Sequence, residues 1–329
     1  MLELRLNKPR DLSLKDSEPV QHLLDHEVKI ELIYGGICGS DLSVFKGKLG
    51  HASYPVRPGH ELLGTIIATG KDVNYEIGTR VVVAPNTFCD ECDFCSAGKP
   101  NICRNKKSIG VNADGGFAEE IIVSSKYVLP IPEDISNEKA ILIEPLSVIV
   151  HALRKVHITK DCHIAIMGCG TEGMLTAAMA CYLGARITAI DINPLKLDIV
   201  KRLGDIRAVN PNEIENETFD IVIEAAGAKA SVEQAVQLVK PGGTMVLIGM
   251  TPEANLPISH IVRNEISLLG SIIYNFPSDF SKSLQYLREE KLDLQPVISK
   301  IVPIKNYQEA YEMALSGNYG KVILDFRKG

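Results

Sequence analysis

A chain of 329 residues, 45% hydrophobic and 23% charged, has an ordinary globular composition and enough length for two domains with full cores. Its net charge of -6 gives no reason to expect a nucleic acid or an anionic membrane surface as partner. No long apolar segment opens the chain and none approaches a membrane span, so a cytoplasmic protein is expected; four of its eight cysteines crowd between residues 89 and 103, which favours metal binding over disulfides.

Residues 1 to about 30 read as short strands and turns, with Glu27–Ile33 alternating charged and apolar residues as a half-buried strand does. A glycine-rich loop, Gly35-Gly36-Ile37-Cys38-Gly39-Ser40-Asp41, follows and presents a thiol. Next stands Pro58-Gly59-His60-Glu61-Leu62-Leu63-Gly64, with an apolar strand to Gly70. Cysteine and histidine both ligate zinc, and Glu61 adds a carboxylate beside them. Taken alone, Cys38 could be a small buried residue and His60 a satisfied core histidine.

Cys89-x-x-Cys92-x-x-Cys95-x7-Cys103 comes next, interspersed with Asp90, Glu91 and Asp93. Four thiolates at this spacing can wrap one ion tetrahedrally and close a lobe too acidic to bury itself. A structural zinc with no open position is expected, an iron–sulfur cluster being the alternative. Residues 110 to 131 return to a strand pattern, broken by Pro130-Ile131-Pro132. A helix is predicted from near Ser136, through Glu144-Pro145-Leu146-Ser147 and His151, to about Val156.

From Ile164 to Asp191 an apolar run breaks into Gly168-x-Gly170-x-x-Gly173, continues as an apolar helix, turns at Gly184 and ends a second strand on Asp191. This is a β-α-β unit whose glycines let a pyrophosphate lie on bare N–H groups at a helix N-terminus. Asp191 lies about twenty residues beyond Gly168, where a carboxylate takes the ribose hydroxyls and repels a 2′-phosphate. NAD rather than NADP follows, with Gly168, Gly170, Thr171, Glu172, Gly173, Asp191 and Gly227 as candidate cofactor-binding residues. Cys169, inside the loop, is a place where oxidation could block the cofactor. Beyond Asp191 a helix is expected near Pro194–Leu203, a strand at Phe219–Glu224, a helix near Ala230–Val239, a turn at Pro241-Gly242-Gly243, and strands at Thr244–Gly249 and Ile266–Ile273. Such alternation implies a parallel sheet with the cofactor at the strand C-termini. Residues 279–290 and 306–317 read as amphipathic helices and Lys321–Phe326 as a final strand.

With these motifs in this order, the chain resembles the zinc-containing medium-chain dehydrogenases over essentially its whole length. Gly59-His60-Glu61-x-x-Gly64-x5-Gly70-x-x-Val73 is similar to that family's zinc signature, and Glu144-Pro145-Leu146-Ser147 resembles its sorbitol (polyol) and butanediol branch. The resemblance implies an α/β fold: a GroES-like, mostly-β catalytic domain over residues 1–145, to which 276–329 return, and a Rossmann doubly wound parallel-sheet domain over 146–275. It implies two zinc ions per chain. Cys38, His60 and Glu61 would hold the catalytic one, with Glu144 binding it directly or through its water. Cys89, Cys92, Cys95 and Cys103 would hold the structural one. A homodimer or homotetramer is expected.

The activity so implied is hydride transfer between NAD and a secondary alcohol or polyol, with Ser40 as relay hydroxyl and Asp41 orienting His60. Read without the resemblance, Glu144 is a carboxylate favoured by a helix N-terminus and Asp41 a capping residue. Many relatives carry a histidine where this chain has Ser43, so the last proton step would pass to water or another base, His51 being nearby. Val44 stands where the sorbitol enzymes have tyrosine, and Gly270-Ser271-Ile272-Ile273-Tyr274 lacks their arginine, which points to a shorter or less polar alcohol than sorbitol. Alternatives are a threonine-type or sugar-phosphate dehydrogenase, or a dinucleotide-binding sensor without turnover.

Overall fold

The structure, a computed structural model, describes residues 1–19, 21–214 and 217–327. It opens with a hairpin of β1 (Leu2–Lys8) and β2 (Asp11–Asp16), followed by β3 (Glu27–Ile37), helix α1 (Gly39–Phe45), β4 (Glu61–Thr69) and β5 (Arg80–Val83). The cysteine lobe contains the single turn α2 (Asp93–Ser96). Strands β6 (Glu120–Ser124) and β7 (Val128–Pro130) and helices α3 (Asn137–Ala140) and α4 (Ile143–Leu153) come next.

The β-α-β unit is β8 (His163–Met167), α5 (Thr171–Tyr182) and β9 (Arg186–Ile190). It continues through α6 (Pro194–Val200), β10 (Ile206–Val209), β11 (Phe219–Glu224), α7 (Lys229–Gln237), β12 (Val239–Leu247), α8 (Ile258–Arg263) and β13 (Ser267–Gly270). The chain ends with α9 (Ser278–Leu287), β14 (Ile298–Pro303), α10 (Tyr307–Ser316) and β15 (Lys321–Asp325).

Strands β8 to β13 form a six-stranded parallel sheet in the order β10-β9-β8-β11-β12-β13, whose direction of winding reverses between β8 and β11. That reversal opens a crevice at the strand C-termini, where dinucleotides bind in such sheets. The other large sheet has the order β14-β15-β3-β4-β5-β7, with β6 also on β3. The last two strands therefore complete a sheet begun near the N-terminus: β15 lies antiparallel on β3, Val322 opposite Ile37. One apolar core joins the sheets, packing Tyr34, Leu63 and Val82 with α4, α5 and α9.

Four expectations are corrected. Gly35 and Gly36 lie within β3, and Cys38 is the extended residue that begins α1. The glycines serve close approach: a Cβ on Gly36 would stand 2.0 Å from the Glu61 carboxylate, and one on Gly35 would stand 2.7 Å from the Phe117 ring. The helix predicted over 136–156 is two helices. Pro145 has no N–H for the carbonyl of Ile141 and its ring would strike it, so α4 restarts at Ile143 with the proline in its first turn. Residues 240–243 form a bulge inside β12 rather than a turn before it, the partner register stepping from Val239 to Thr244. Strand β13 stops at Gly270, and Ile273 beyond it has φ 41°, incompatible with a continuing strand.

Candidate active site and metal centres

Cys38 follows the last residue of β3, His60 precedes β4 and Glu61 begins it, so antiparallel pairing of these strands brings three donors together; their ligating atoms all lie within 4.8 Å of one another. Asp41, in the first turn of α1, holds the arrangement. Its carboxylate accepts from the backbone of Cys38 (2.9 Å) and Gly59 (3.1 Å) and lies 3.2 Å from His60 Nδ1. Burial alone would raise the Asp41 carboxyl, but the His60 ring and the two N–H donors bring it below its ordinary value. The imidazole thus gives its Nδ1 proton to Asp41 and turns Nε2 toward the Cys38 side, where Ser40 Oγ lies 3.3 Å away. Ser43 is committed elsewhere, donating to the Gly39 carbonyl at 3.0 Å. Val44 is buried with Leu6, Val56 and Val111, and His51 is exposed.

One partner went unnoticed in the sequence. Lys321, the first residue of β15, is 1% exposed; its Nζ lies 2.5 Å from Glu61 Oε1 and 3.3 Å from the Ile37 carbonyl. Burial opposes its charge, yet Glu61, Cys38 and Glu144 keep its pKa above the ordinary lysine value. At the head of KVILDF a lysine reads like any solvated strand end. The second oxygen of Glu61, Oε2, is buried with no partner. Glu144 sits in the first turn of α4, as the dipole argument expected, but outside the tight donor group. Burial, assisted by Glu61 and Glu172 and opposed by His60 and Lys321, pushes its carboxyl up to about 8. Tyr274, buried in the same core, has a hydroxyl that accepts from Asn86 (3.0 Å), which in turn accepts from Ser108 (2.7 Å). Asn86 and Ser108 carry no motif and were also missed.

The four lobe cysteines form a second donor group within the same 4.8 Å limit, and all eight cysteines are free thiols. Cys103 Sγ lies 3.5 Å from Cys89 Sγ and 4.0 Å from Cys92 Sγ, and accepts from the backbone of Cys89 and Asn105. Backbone N–H groups of Arg104 and Cys95 aimed at Cys92 bring its thiol down to about 6.

In the glycine turn, each glycine answers a different need. A Cβ on Gly173 would lie 1.8 Å from the Gly168 carbonyl oxygen, and one on Gly168 would lie 2.7 Å from Ala226. A Cβ on Gly170 would meet nothing within 4 Å: it faces the open space at the N-terminus of α5. Thr171 and Glu172 begin that helix, and burial raises the Glu172 carboxyl while Lys321 opposes the rise. Asp191 accepts from the backbone of Cys169 (2.6 Å) and Asn193 (2.8 Å). Gly227, at φ 62°, lies in a turn pinned by the buried Glu224, which accepts from the N–H groups of Ala226 and Gly227 and from Ser231. Cys169 is fully buried and its thiol is pushed up to about 12, mainly by burial and also by Asp191. A buried protonated thiol is a poor target for oxidants, so the suggested redox block is withdrawn.

Family comparison agrees with this geometry. The alcohol dehydrogenase GroES-like domain matches residues 24–133, and the zinc-binding dehydrogenase family matches residues 173–289. Over 328 residues the chain is 30% identical to the sorbitol dehydrogenase of Bacillus subtilis (strain 168), covering 94% of this chain and 92% of that one. The chain belongs to the zinc-containing medium-chain dehydrogenases. Its likeness to D-arabinitol dehydrogenase 1 of Uromyces fabae, 30% identical over 98% of this chain and 97% of that one, agrees with the polyol branch of the family. Among solved structures, an alcohol dehydrogenase of E. coli CFT073 complexed with NADH superposes with a TM-score of 0.92 at 26% identity, covering 99% of each chain. A zinc-binding dehydrogenase of Sinorhizobium meliloti 1021 bound to NADP superposes at 0.91 and 26% identity, covering 98% of each.

The residues present fit what such a dehydrogenase carries. Four sulfurs in one group suit a closed tetrahedral zinc. Cys38, His60 and Glu61, with the orphaned Oε2 among them, offer three protein donors, as catalytic zinc sites do when they keep one position open. The bare face of Gly170 is a cradle that a side chain would fill.

Proposed function

We propose that this dehydrogenase moves a hydride between NAD(H) and a secondary alcohol or neutral polyol and its ketone. The observation that carries the reading is the three-donor group, with its orphaned Glu61 Oε2, in a chain whose α5 opens on the bare Gly170 turn. Cys38, His60 and Glu61 are the proposed catalytic zinc ligands, with Glu144 behind them, and the four lobe cysteines hold a structural ion. Bound there, zinc supplies a Lewis acid for the alcohol oxygen and brings its pKa toward neutrality. The protein's own residues do the rest. Asp41 fixes the His60 tautomer, Ser40 stands beside Nε2 to take the alcohol proton, and water receives it because the Ser43 hydroxyl is occupied.

Asp191 supports NAD: its carboxylate is fixed by two N–H groups at the end of β9, and the exposed Ile192 follows it rather than an arginine. We divide the chain into a catalytic domain of residues 1–145 with 276–329 and a cofactor domain of 146–275. Free β13 edge hydrogen-bonding groups and the exposed Ile258, Val262 and Met250 support a second copy packing on that face, in a dimer or tetramer. Eight unpaired cysteines, four of them grouped for a metal, suit the reducing cytoplasm. The test is zinc per chain together with reduction of NAD and NADP over diols, polyols, L-threonine and sugar phosphates. Two zinc ions and NAD-linked oxidation of a neutral diol or polyol are expected; zinc-loaded protein that oxidises no alcohol in the panel would overturn the reading.

A further inference from the structure

Ser271–Phe276, the segment leaving β13, carries Tyr274 into the core, where its hydroxyl meets Asn86, without the support of regular structure. Ile273 has φ 41°, a left-handed conformation that a β-branched residue resists. Ser271 Oγ and Asn275 Oδ1 are buried without partners. The segment is held from outside. Asn86 donates to the Tyr274 hydroxyl, the backbone N–H of Asn275 donates to Asp279 (2.7 Å), and Asn101 Nδ2 donates to the Ile272 carbonyl (3.2 Å).

Asn101 belongs to the cysteine lobe, two positions before Cys103, and is 8% exposed. A carbonyl can only accept, so the atom facing Ile272 is the amide nitrogen. The same nitrogen lies 3.4 Å from His151 Nε2, which must therefore accept, leaving the His151 proton on Nδ1 to donate to Asp279 Oδ2 at 3.0 Å. Asp279 is fully buried and pairs through its other oxygen with Arg154. A continuous line thus runs from α9 through α4 into the lobe and back to Ile272, with every donor matched to an acceptor.

We infer that Asn101 and His151 are positioning residues: the Asn101 carboxamide, aligned by His151 on Asp279, holds the Ile272 carbonyl and so sets the Ser271–Phe276 segment, through which it acts on the proposed alcohol site. The inference rests on the proposed alcohol site for its kinetic consequence but not for its structural one. Its alternative is that His151 only packs α4 against α9.

Two substitutions separate these roles. His151→Asn keeps a donor near Nδ1 for Asp279 and removes the acceptor that aligns Asn101. His151→Gln reaches toward Asn101 and gives up the Asp279 bond. Asn101→Ala and His151→Asn should raise the KM of sorbitol or 2,3-butanediol, whichever the parent oxidises faster, by about tenfold, the order expected for one lost hydrogen bond. The Kd of NADH, read by its fluorescence, and the zinc content should stay at parent values, and His151→Gln should fall closer to the parent.

Hydrogen exchange followed by mass spectrometry provides a readout independent of turnover. Peptides spanning 271–276 should exchange several-fold faster in Asn101→Ala and His151→Asn, with 143–153 unchanged. The inference is overturned if Asn101→Ala leaves exchange at 271–276 unaltered. It is equally overturned if His151→Asn matches the parent while His151→Gln loses thermal stability. A parent that oxidises neither alcohol would count against the proposed function, and exchange would still decide the clamp.

Discussion

Replacing Lys321 by methionine tests the most unusual electrostatic feature of the site. The substitution nearly conserves volume but removes the one cation bonded to Glu61 among the described residues; the Glu61 side chain is 1% exposed and its Oε2 already lacks a partner. Both carboxylate oxygens would then be buried and unpaired, a defect that costs on the order of 3–5 kcal/mol when one member of a buried pair is deleted. Glu144 and Glu172 lose the same neighbouring charge, which works in the same direction. In protein stripped of metal by chelation at pH 8, thermal unfolding by circular dichroism should fall by roughly 6 °C. The loss should shrink toward pH 5, where Glu144, raised to about 8, is protonated and no longer misses the cation. Adding Glu61→Gln to the variant should recover at least half of the loss, since the buried charge is then gone. Zinc-loaded protein should show a smaller loss, because a cation again faces Glu61. A Lys321→Met protein within 1 °C of the parent at pH 8, or a double variant no better than the single, would refute the reasoning.

Other outcomes follow from the same geometry. Gly170→Ala should fold with a parent-like melting temperature yet bind NADH at least tenfold more weakly by fluorescence titration, whereas Gly173→Ala should be strongly destabilised because its Cβ meets the Gly168 carbonyl oxygen at 1.8 Å. Asp191→Ser should raise the ratio of NADP to NAD use in initial-rate assays by ten or more, through loss of a carboxylate that repels the 2′-phosphate. Glu144 has a folded pKa of about 8, above the ordinary 4.5, so its effect favours the fold below pH 4.5 and is lost as pH rises through 8. Metal-free Glu144→Gln should accordingly resist urea better than the parent at pH 9, by on the order of 3 kcal/mol, with the gap closing near pH 5. Cys89→Ser should lower bound zinc from two ions to one by elemental analysis and make the lobe around residues 89–103 the first region cut by protease.

What could be read in advance was local. The four-cysteine spacing, the glycine turn and the His60-Glu61 pair each announce their chemistry within a few positions, and the strands and helices around them fall close to where periodicity puts them. What escaped reading depends on distance along the chain. Lys321 and Glu61 are 260 positions apart, and Tyr274 meets Asn86 across 188, so neither pair leaves a pattern in any window of sequence. Gly35 and Gly36 look like loop residues because their actual reason, room for Glu61 and Phe117, lies on other strands. Pro145 did carry a local signal, and a missing N–H in the first turn of α4 was enough to split the predicted helix.

The position of β15 bears on how the protein comes into being. Lys321 must cross to Ile37 and Glu61, contacts spanning 284 and 260 positions, before the carboxylate beneath the metal site has its counter-charge. Until β15 pairs with β3, Cys38, His60 and Glu61 belong to a sheet in which β3 has only β4 and β6 beside it. The four lobe cysteines come together within a stretch of fifteen residues, Cys89 to Cys103, and need no distant strand. The two donor groups thus differ in contact order: the lobe closes over a short stretch of chain, whereas the surroundings of Glu61 are complete only when β15 has paired with β3.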